Sequence, residues 1–326
     1  KDNMVAYFQY AQWLIIKEFT MSLSHQQACK LTGEELLLIQ DIYGVGSNSI
    51  DMVSNTCFSD AKIASRVAAS SFDTGHVISL AFFFETGPNS LLPSSVPYTE
   101  ISVHVAFNTY GSVCHASSDN TKIDATLYAQ TPAHFDASLL YDQYVITHAE
   151  KDLFAKISGH QPYTVFKTGS FTSAVKTVGA KANFDASNVN FLGSDMIIYG
   201  KDPDVPHFSA GKYGAFGTAV PVASEFILNL NGNPTSKVDT ASTLWNYMQG
   251  ATHFPVCGAL YWSPAPGHNL SLHTPAGTVP WSRLDNVKLE VTSGVATTAG
   301  ITFNYISTCW STLQIGKGMI SPAFSG

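Results

Sequence analysis

Charged residues are scarce in this chain of 326 amino acids, where they make up 13% of the total, about half the share usual for a globular protein. The 17 Lys and Arg residues form no cluster, and the net charge is −7. This disfavours direct wrapping of nucleic acid, because neutralising phosphates requires grouped cations. Few charges among many uncharged polar residues are typical of loop-rich β structure and of surfaces that other subunits cover.

Cysteine is also sparse, and long apolar runs are missing. The five cysteines are odd in number and scattered, without Cys-x-x-Cys spacing. This pattern argues against a disulfide framework or a zinc site and favours a reducing compartment. No apolar run approaches the ~20 residues that cross a bilayer, and no charged-then-apolar signal peptide is found. We therefore interpret the glycosylation sequon Asn269-Leu270-Ser271 as chance.

What the sequence does contain is strand patterning, most clearly in residues 76–107. Leu80–Phe84 is a solid apolar run bounded by turn residues, which predicts a strand buried in a core. A loop rich in proline follows, where proline fixes φ and glycine permits reversal. From Ile101 to Phe107, apolar and polar residues then alternate. This period of two predicts a strand with one buried face.

The same stretch resembles the signature of the major capsid proteins of large icosahedral double-stranded DNA viruses, of the nucleocytoplasmic large DNA virus type. In that family a Leu-Pro-Phe-Phe-Phe strand, a Gly-x-Ala-Leu-Pro loop and a Pro-Tyr-x-Glu-(Val/Ile)-x-Ile strand follow in order. The corresponding segments here are 80–84, with Ala81 in place of the proline, 91–93 and 97–103.

Four further blocks extend the resemblance over nearly the whole chain. Residues 141–166 are similar to the start of the family's second barrel, and Asn229–Gly232 to its Leu-Asn-Gly turn. Leu272–Asn286 resembles its Pro-Ser-Gly-Thr-x-Asn-Phe-Ser-Arg-(Ile/Leu)-Asp-Asn block, with Pro280 and Trp281 as departures. Gly316–Ser325 resembles its Gly-Gly-Met-x-Gly-x-x-Phe-Ser terminus.

The resemblance implies an all-β fold class: a double jelly roll of two eight-stranded antiparallel β-barrels side by side, with short helices in the connections. Residues 1–118 would form the later part of the first jelly roll, and residues 119–326 the complete second one. Because the signature strands belong late in the first barrel, we expect the natural polypeptide to begin upstream of Lys1.

Several local predictions follow from the residues themselves. Capping boxes at Thr32/Glu35 and Thr147/Glu150 predict two helices, and Asn231-Gly232 predicts a tight hairpin. Lys122–Gln130 and Leu140–Thr147 are predicted as strands, and Thr240–Gln249 as a helix. Leu153, Phe154 and Ile157 are expected on one side of the second helix, and Leu244, Trp245 and Met248 are expected to face inward from the third.

No combination of residues has both the residue types and the spacing of a catalytic or metal-binding site. Asp202-x-Asp204-x-x-His207 has metal-ligand types but lacks the glycine and distal glutamate of a calcium loop. Other combinations have reactive residue types without the spacing or supporting motif of a site; they are Gly44-Val45-Gly46, Ser70/Ser71/Asp73/His76, Cys114-His115, His268/His273 and Arg283/Asp285. We predict no enzyme, no catalytic, cofactor-binding or metal-binding residue, and no cofactor.

The resemblance implies a structural capsid subunit that forms homotrimeric, pseudo-hexameric capsomers in the icosahedral shell of a virion. Expected partners are further copies of the chain, minor capsid or cement proteins and an inner viral membrane, with no direct nucleic-acid contact and assembly in the host cytoplasm. Two alternatives stay open. One is a capsid-like scaffolding protein; the other is a jelly-roll carbohydrate-binding module that stacks sugars on Trp245, Trp262, Trp281 and Trp310.

Overall fold

The computed structural model describes residues 4–7, 13, 15–43, 96, 98–108, 114–117, 137–138, 145–156, 158–186, 189, 192–204, 221–250, 258–265, 277–284 and 286–322. The strands are β1 (Met4–Tyr7), β2 (Ile16–Leu23), β3 (Gln26–Leu31), β4 (Ile101–Phe107), β5 (Cys114–Ser117), β6 (Gly159–Thr172), β7 (Lys181–Asp185), β8 (Leu192–Lys201), β9 (Ala223–Leu230), β10 (Asn233–Asp239), β11 (Leu260–Trp262), β12 (Val279–Pro280), β13 (Val287–Ser293), β14 (Thr302–Gly316) and β15 (Met319–Pro322). The α-helices are α1 (Gly33–Tyr43), α2 (His148–Ala155) and α3 (Thr240–Gly250), and a 3₁₀ turn covers Trp281–Arg283.

The strands form antiparallel sheets in two parts of the chain. In the N-terminal unit, which we define as β2, β3, β4 and α1, the sheet order is β3-β2-β4. In the C-terminal unit, which we define as α2, α3 and β6 to β15, one sheet has the order β10-β9-β13-β7. The other has six strands, with β8 and β14 at its centre and β6, β11, β12 and β15 around them. β1 pairs separately with β5.

Three hairpins close through two-residue turns with both central residues at positive φ. These turns are Ser24-His25, Asn231-Gly232 and Lys317-Gly318, with φ between 45° and 82°. Such turns match the right-handed twist of the flanking strands, which is why Asn-Gly predicts them so well. The hairpin predicted at Asn231-Gly232 is confirmed, since Leu230 pairs with Asn233 across it.

Both predicted capping boxes are formed. The Thr32 amide donates to Glu35 Oε2 at 2.7 Å, and the Glu35 amide donates back to Thr32 Oγ1 at 3.3 Å. Thr147 and Glu150 repeat the arrangement at 2.7 Å and 3.3 Å. A third reciprocal cap, at the start of α3, joins Asp239 and Ser242. These contacts satisfy amides that the first turn of a helix leaves without intrahelical partners.

The core of the C-terminal unit lies between its two large sheets. Along β13, Val287, Leu289 and Val291 are buried and alternate with more exposed residues. The alternation arises because one face of this sheet packs inward while the other meets solvent. The outer face carries ion pairs across strands, Lys181 with Glu290 at 2.6 Å and Lys237 with Glu225 at 2.7 Å.

Some local predictions are wrong. Trp245 is 60% exposed, so it does not face inward, and Leu153, which was placed on one side of α2, is 65% exposed. Among the side chains of α3 that the structure describes, the buried one is Thr243, whose Oγ1 accepts a hydrogen bond from the Tyr261 amide at 3.3 Å. The strand at 101–107 is confirmed, but its last residue, Phe107, is 40% exposed.

Residues 145–147, which were predicted to end a strand, lie in none. The predicted strands at Leu80–Phe84 and Lys122–Gln130 lie outside the described residues, as do the side chains of Phe154, Ile157 and Met248. The boundary predicted between residues 118 and 119 also lies outside them and stays a prediction.

Candidate assembly surfaces

The central strands of the six-stranded sheet are buried on both faces. Every residue from Gly193 to Gly200 in β8 is buried, and so is every residue from Phe303 to Ser311 in β14. A strand with only one covered face would alternate buried and exposed residues. Two layers must therefore cover this sheet, and they come from different parts of the chain.

The first layer is the four-stranded sheet of the same unit. Phe171 of β6, Phe184 of β7 and Tyr305 of β14 stack with ring centroids 5.4 and 6.1 Å apart. Trp281 lies directly over the backbone of Gly193, where any added Cβ would overlap its indole ring. This face is therefore closely packed, and a glycine is needed at position 193 for the indole to approach.

The second layer is the N-terminal unit, which meets the sheet through β3 and α1. Cross-strand pairing places Asp195 and Tyr199 of β8 on the same face as Thr308 of β14. Tyr43, at the end of α1, reaches this face with its hydroxyl. At the other end of α1, Glu34 forms an ion pair with Lys201. We call this contact between α1 and the six-stranded sheet the seam.

A buried polar cluster lies at the centre of the seam. The Tyr43 hydroxyl donates to Asp195 Oδ2 at 3.1 Å and lies 2.6 Å from Thr308 Oγ1. Because the phenol has a single hydrogen, Thr308 is then the donor in the second contact. The Tyr261 side chain also hydrogen-bonds Asp195. Asp195 and Thr308 are 1% and 2% exposed, so at Asp195 Oδ2 and Thr308 Oγ1 these partners replace the water that is lost on burial.

The electrostatics of the cluster keep its phenols protonated. Burial, and then the charge of Asp195, raise the pKa of Tyr43 well above its ordinary value. The same two causes raise the pKa of Tyr261. A phenol that stays neutral remains a hydrogen-bond donor to the carboxylate. Polar partners also bond in one geometry only, whereas apolar contacts tolerate sliding, so the cluster fixes the register in which the two units dock.

A second contact between the units lies at the C-terminal hairpin β14–β15. The Tyr98 amide donates to the Gly318 carbonyl at 3.0 Å. The Ile320 amide donates to Thr99 Oγ1 at 2.8 Å. The segment before β4 is therefore held against the tip of this hairpin, and the two units meet at more than one place.

The two aspartates weighed as metal ligands accept hydrogen bonds from backbone amides. Asp202 Oδ1 accepts the amide of Asp204 at 2.9 Å, and Asp204 Oδ2 accepts the amide of Thr298 at 2.6 Å. These carboxylates anchor a loop, while His207 lies outside the described residues. Within the described part of the chain, no three His, Cys, Asp or Glu side chains are grouped as metal ligands.

The structure describes only some of the other candidate site residues. Cys114 and His115 are consecutive on β5, and their side chains lie outside the described part of the structure. The glycines near 44–46, the residues at 70–76, His268, His273 and Asp285 lie outside the described ranges. None of the α-helices in the described ranges is both long and apolar enough to span a bilayer.

The tryptophans proposed as sugar platforms are mostly in the core. Trp262, Trp281 and Trp310 are 7%, 2% and 7% exposed, and the first two pack against each other with ring centroids 6.1 Å apart. Only Trp245 of the four is exposed. Stacking on a sugar requires exposed rings beside a groove. The carbohydrate-binding alternative therefore loses three of its four platforms.

No protein-family model and no curated protein sequence matches the chain. Solved structures do match. PBCV-1 VP54, in a crystal structure fitted into a cryo-EM reconstruction of the virophage Sputnik, matches at a TM-score of 0.68 with 14% identity, covering 99% of this chain and 88% of that one. The quasi-atomic model of the PBCV-1 virus capsid matches at 0.67 with 13% identity and the same coverage.

The Faustovirus major capsid protein matches at a TM-score of 0.62 with 12% identity, covering 97% of this chain and 74% of that one. At such identities a likeness establishes the fold alone. The chain therefore has the all-β fold of these viral capsid structures, and the fold predicted from the resemblance is confirmed.

Proposed function

We propose that this protein is a structural subunit of an icosahedral viral capsid and carries out no catalysis. The observation that carries the proposal is the shared fold over 99% of the chain with PBCV-1 VP54. The doubly buried sheet supports it, because a chain whose two units share one closely packed seam provides a rigid building block.

We infer that the two units are two jelly rolls, at residues 1–118 and 119–326, joined by the seam. Three such chains in a ring would place six similar barrels around one axis, which gives a homotrimeric, pseudo-hexameric capsomer. The low charge content of the chain suits the large interfaces that such an assembly buries, since charges are depleted at the centre of interfaces.

The partners we propose are further copies of the chain within and between capsomers, minor capsid or cement proteins, and an inner membrane beneath the shell. The protein would assemble in the host cytoplasm and reside in the virion capsid. Direct nucleic-acid contact is not part of the proposal, because grouped cations are missing from the sequence.

The test is the oligomeric state of the native polypeptide, measured by native mass spectrometry and by class averages from electron microscopy. We expect a trimer whose averages show six lobes around one axis. The variant Tyr43→Phe, measured in the same way, tests whether the seam supports assembly. A loosened seam should blur the lobes in the class averages while the mass of the chain stays almost the same. A polypeptide that stays monomeric over the whole accessible concentration range would contradict the proposal.

A further inference from the structure

One end of the molecule brings both units together at their hairpin tips. In the N-terminal unit, the Ser24 amide in the β2–β3 turn donates to the Glu100 carbonyl at 2.8 Å. Next to it, Tyr98 is bonded to Gly318 in the β14–β15 turn. This end is therefore composite, and it exists in this form only when the two units are docked.

Apolar side chains are exposed at this end. Tyr98 is 76% exposed, Met319 53% and Leu153, on the neighbouring helix α2, 65%. They are three of the eight large hydrophobic side chains that are exposed in the described part of the chain. Tyr98 and Met319 lie at the β14–β15 turn, and Lys317 of this turn lines one cleft with Lys156, which follows Leu153 by three residues. Exposed apolar residues beside such a cleft mark interaction surfaces.

A cleft of about 600 Å³ lies between the end of α2, the start of β6 and the end of β14. Lys156, His160 and Lys317 line it, and none of its nine lining residues is Asp or Glu. In a chain of net charge −7, a cleft lined by two lysines and no acid is complementary to a carboxylate-bearing ligand. The last turn of α2 also ends here, and the last turn of a helix leaves carbonyls without intrahelical partners.

We propose that this surface, made of Tyr98, Leu153, Lys156, His160, Lys317 and Met319, binds an acidic segment of a partner protein that also carries apolar side chains. Its carboxylates would pair with the two lysines, and its amides would donate to the helix-end carbonyls. Its apolar side chains would cover Leu153 and Met319. The inference does not rest on the proposed capsid role, because binding of such a segment is measurable whatever the oligomeric state.

A protein segment fits this surface better than an anionic bilayer does. The cations lie in a concave cleft, which a peptide can enter and a flat bilayer cannot.

The experiment uses the full chain and a fluorescein-labelled peptide of alternating glutamate and leucine, with binding followed by anisotropy. A peptide with lysine in place of glutamate is the ligand control. The test variant is Lys156→Glu/Lys317→Glu. The matched control is Lys176→Glu/Lys288→Glu, which reverses two exposed lysines away from the cleft. Hydrogen exchange on the unaltered protein locates the bound peptide without any substitution.

We expect the acidic peptide to bind, the basic peptide not to bind, and residues 153–160 and 314–320 to gain protection. The test variant should lose about tenfold or more in affinity, as the loss of two exposed ion pairs implies, and the control variant much less. Equal losses in both variants would overturn the proposal, since they would mean unspecific charge attraction. The proposal would also be overturned if the acidic peptide did not bind. It would be overturned as well if the protein bound phosphatidylserine vesicles and not the peptide.

Discussion

Removing the Tyr43 hydroxyl tests whether the seam is held by its polar cluster. In Tyr43→Phe the ring still fills its space, but Asp195 loses a donor at 3.1 Å and Thr308 loses its partner at 2.6 Å. Both remaining groups are almost fully buried, so water cannot readily replace what is lost. We expect a destabilisation of about 2 kcal/mol, within the range for a buried hydrogen bond to a charged group.

Native-state hydrogen exchange is the appropriate assay, because it reports opening at individual places and does not require two-state unfolding. A loss of about 2 kcal/mol corresponds to roughly 30-fold faster exchange through seam opening. The increase should be confined to α1 and to β8 around Asp195. Amides in the β9–β13 pair, on the far side of the core, should exchange as before.

Tyr98→Phe is the matched control, since it removes the same hydroxyl from a ring that is 76% exposed. Such a surface change is expected to stay within about 0.5 kcal/mol. If Tyr43→Phe leaves β8 exchange no faster than Tyr98→Phe does, the cluster does not hold the seam. Combining Tyr43→Phe with Asp195→Asn should give a non-additive loss, because the two groups share one hydrogen bond.

Three further changes probe the rest of the fold. Gly193→Ala should destabilise the protein by about 2 kcal/mol or more in urea unfolding, because the new methyl overlaps the Trp281 indole; an unchanged midpoint would contradict that packing. Asp239→Ala should cost about 1 kcal/mol by removing the α3 cap, whereas Asp239→Asn should retain most of it. Burial raises the pKa of Cys29 and Cys309 from 9.0 to about 12. Their thiols therefore contribute stability that is fully present below pH 9 and is lost between pH 9 and 12, which melting temperatures across this range should show.

The burial of both faces of the six-stranded sheet corresponds to a pattern in the sequence. The run Met196–Tyr199 contains four apolar or aromatic residues without alternation, and the strand needs this because each face packs on a different layer. Such a run favours a strand with two buried faces, but it does not indicate which layer covers which face. That assignment depends on the packing of α1, which lies about 150 positions earlier in the chain.

Short helices give a weak signal for the face they bury. Leu153 was placed on one side of α2 and Trp245 facing inward on α3, because the apolar residues of a helix usually face a core. Both side chains are exposed, and helices of only 8 and 11 residues offer few positions from which a buried face can be recognised. Among the described side chains of α3, the buried one is Thr243, whose hydroxyl accepts the Tyr261 amide.

The polar cluster of the seam had no sequence signal of its own. Tyr43, Asp195 and Thr308 are separated by more than 100 residues from one another, and none lies in a motif. A buried aspartate can be inferred from sequence only as an acid within an apolar run, and a surface position would have been the ordinary expectation. The structure reveals the cluster because it brings the three side chains within hydrogen-bonding distance.

By itself, the sequence determined what is local: the capping boxes, the Asn-Gly hairpin, the alternation in β13 and, through its motifs, the viral capsid fold. The capping boxes, the hairpin and the alternation depend on neighbours within a few residues, so the order of side chains encodes them directly. Only the tertiary structure decided which faces are covered, where the two units join and which apolar side chains stay exposed. Those outcomes depend on contacts between distant segments, and chain order alone does not specify how such segments pack.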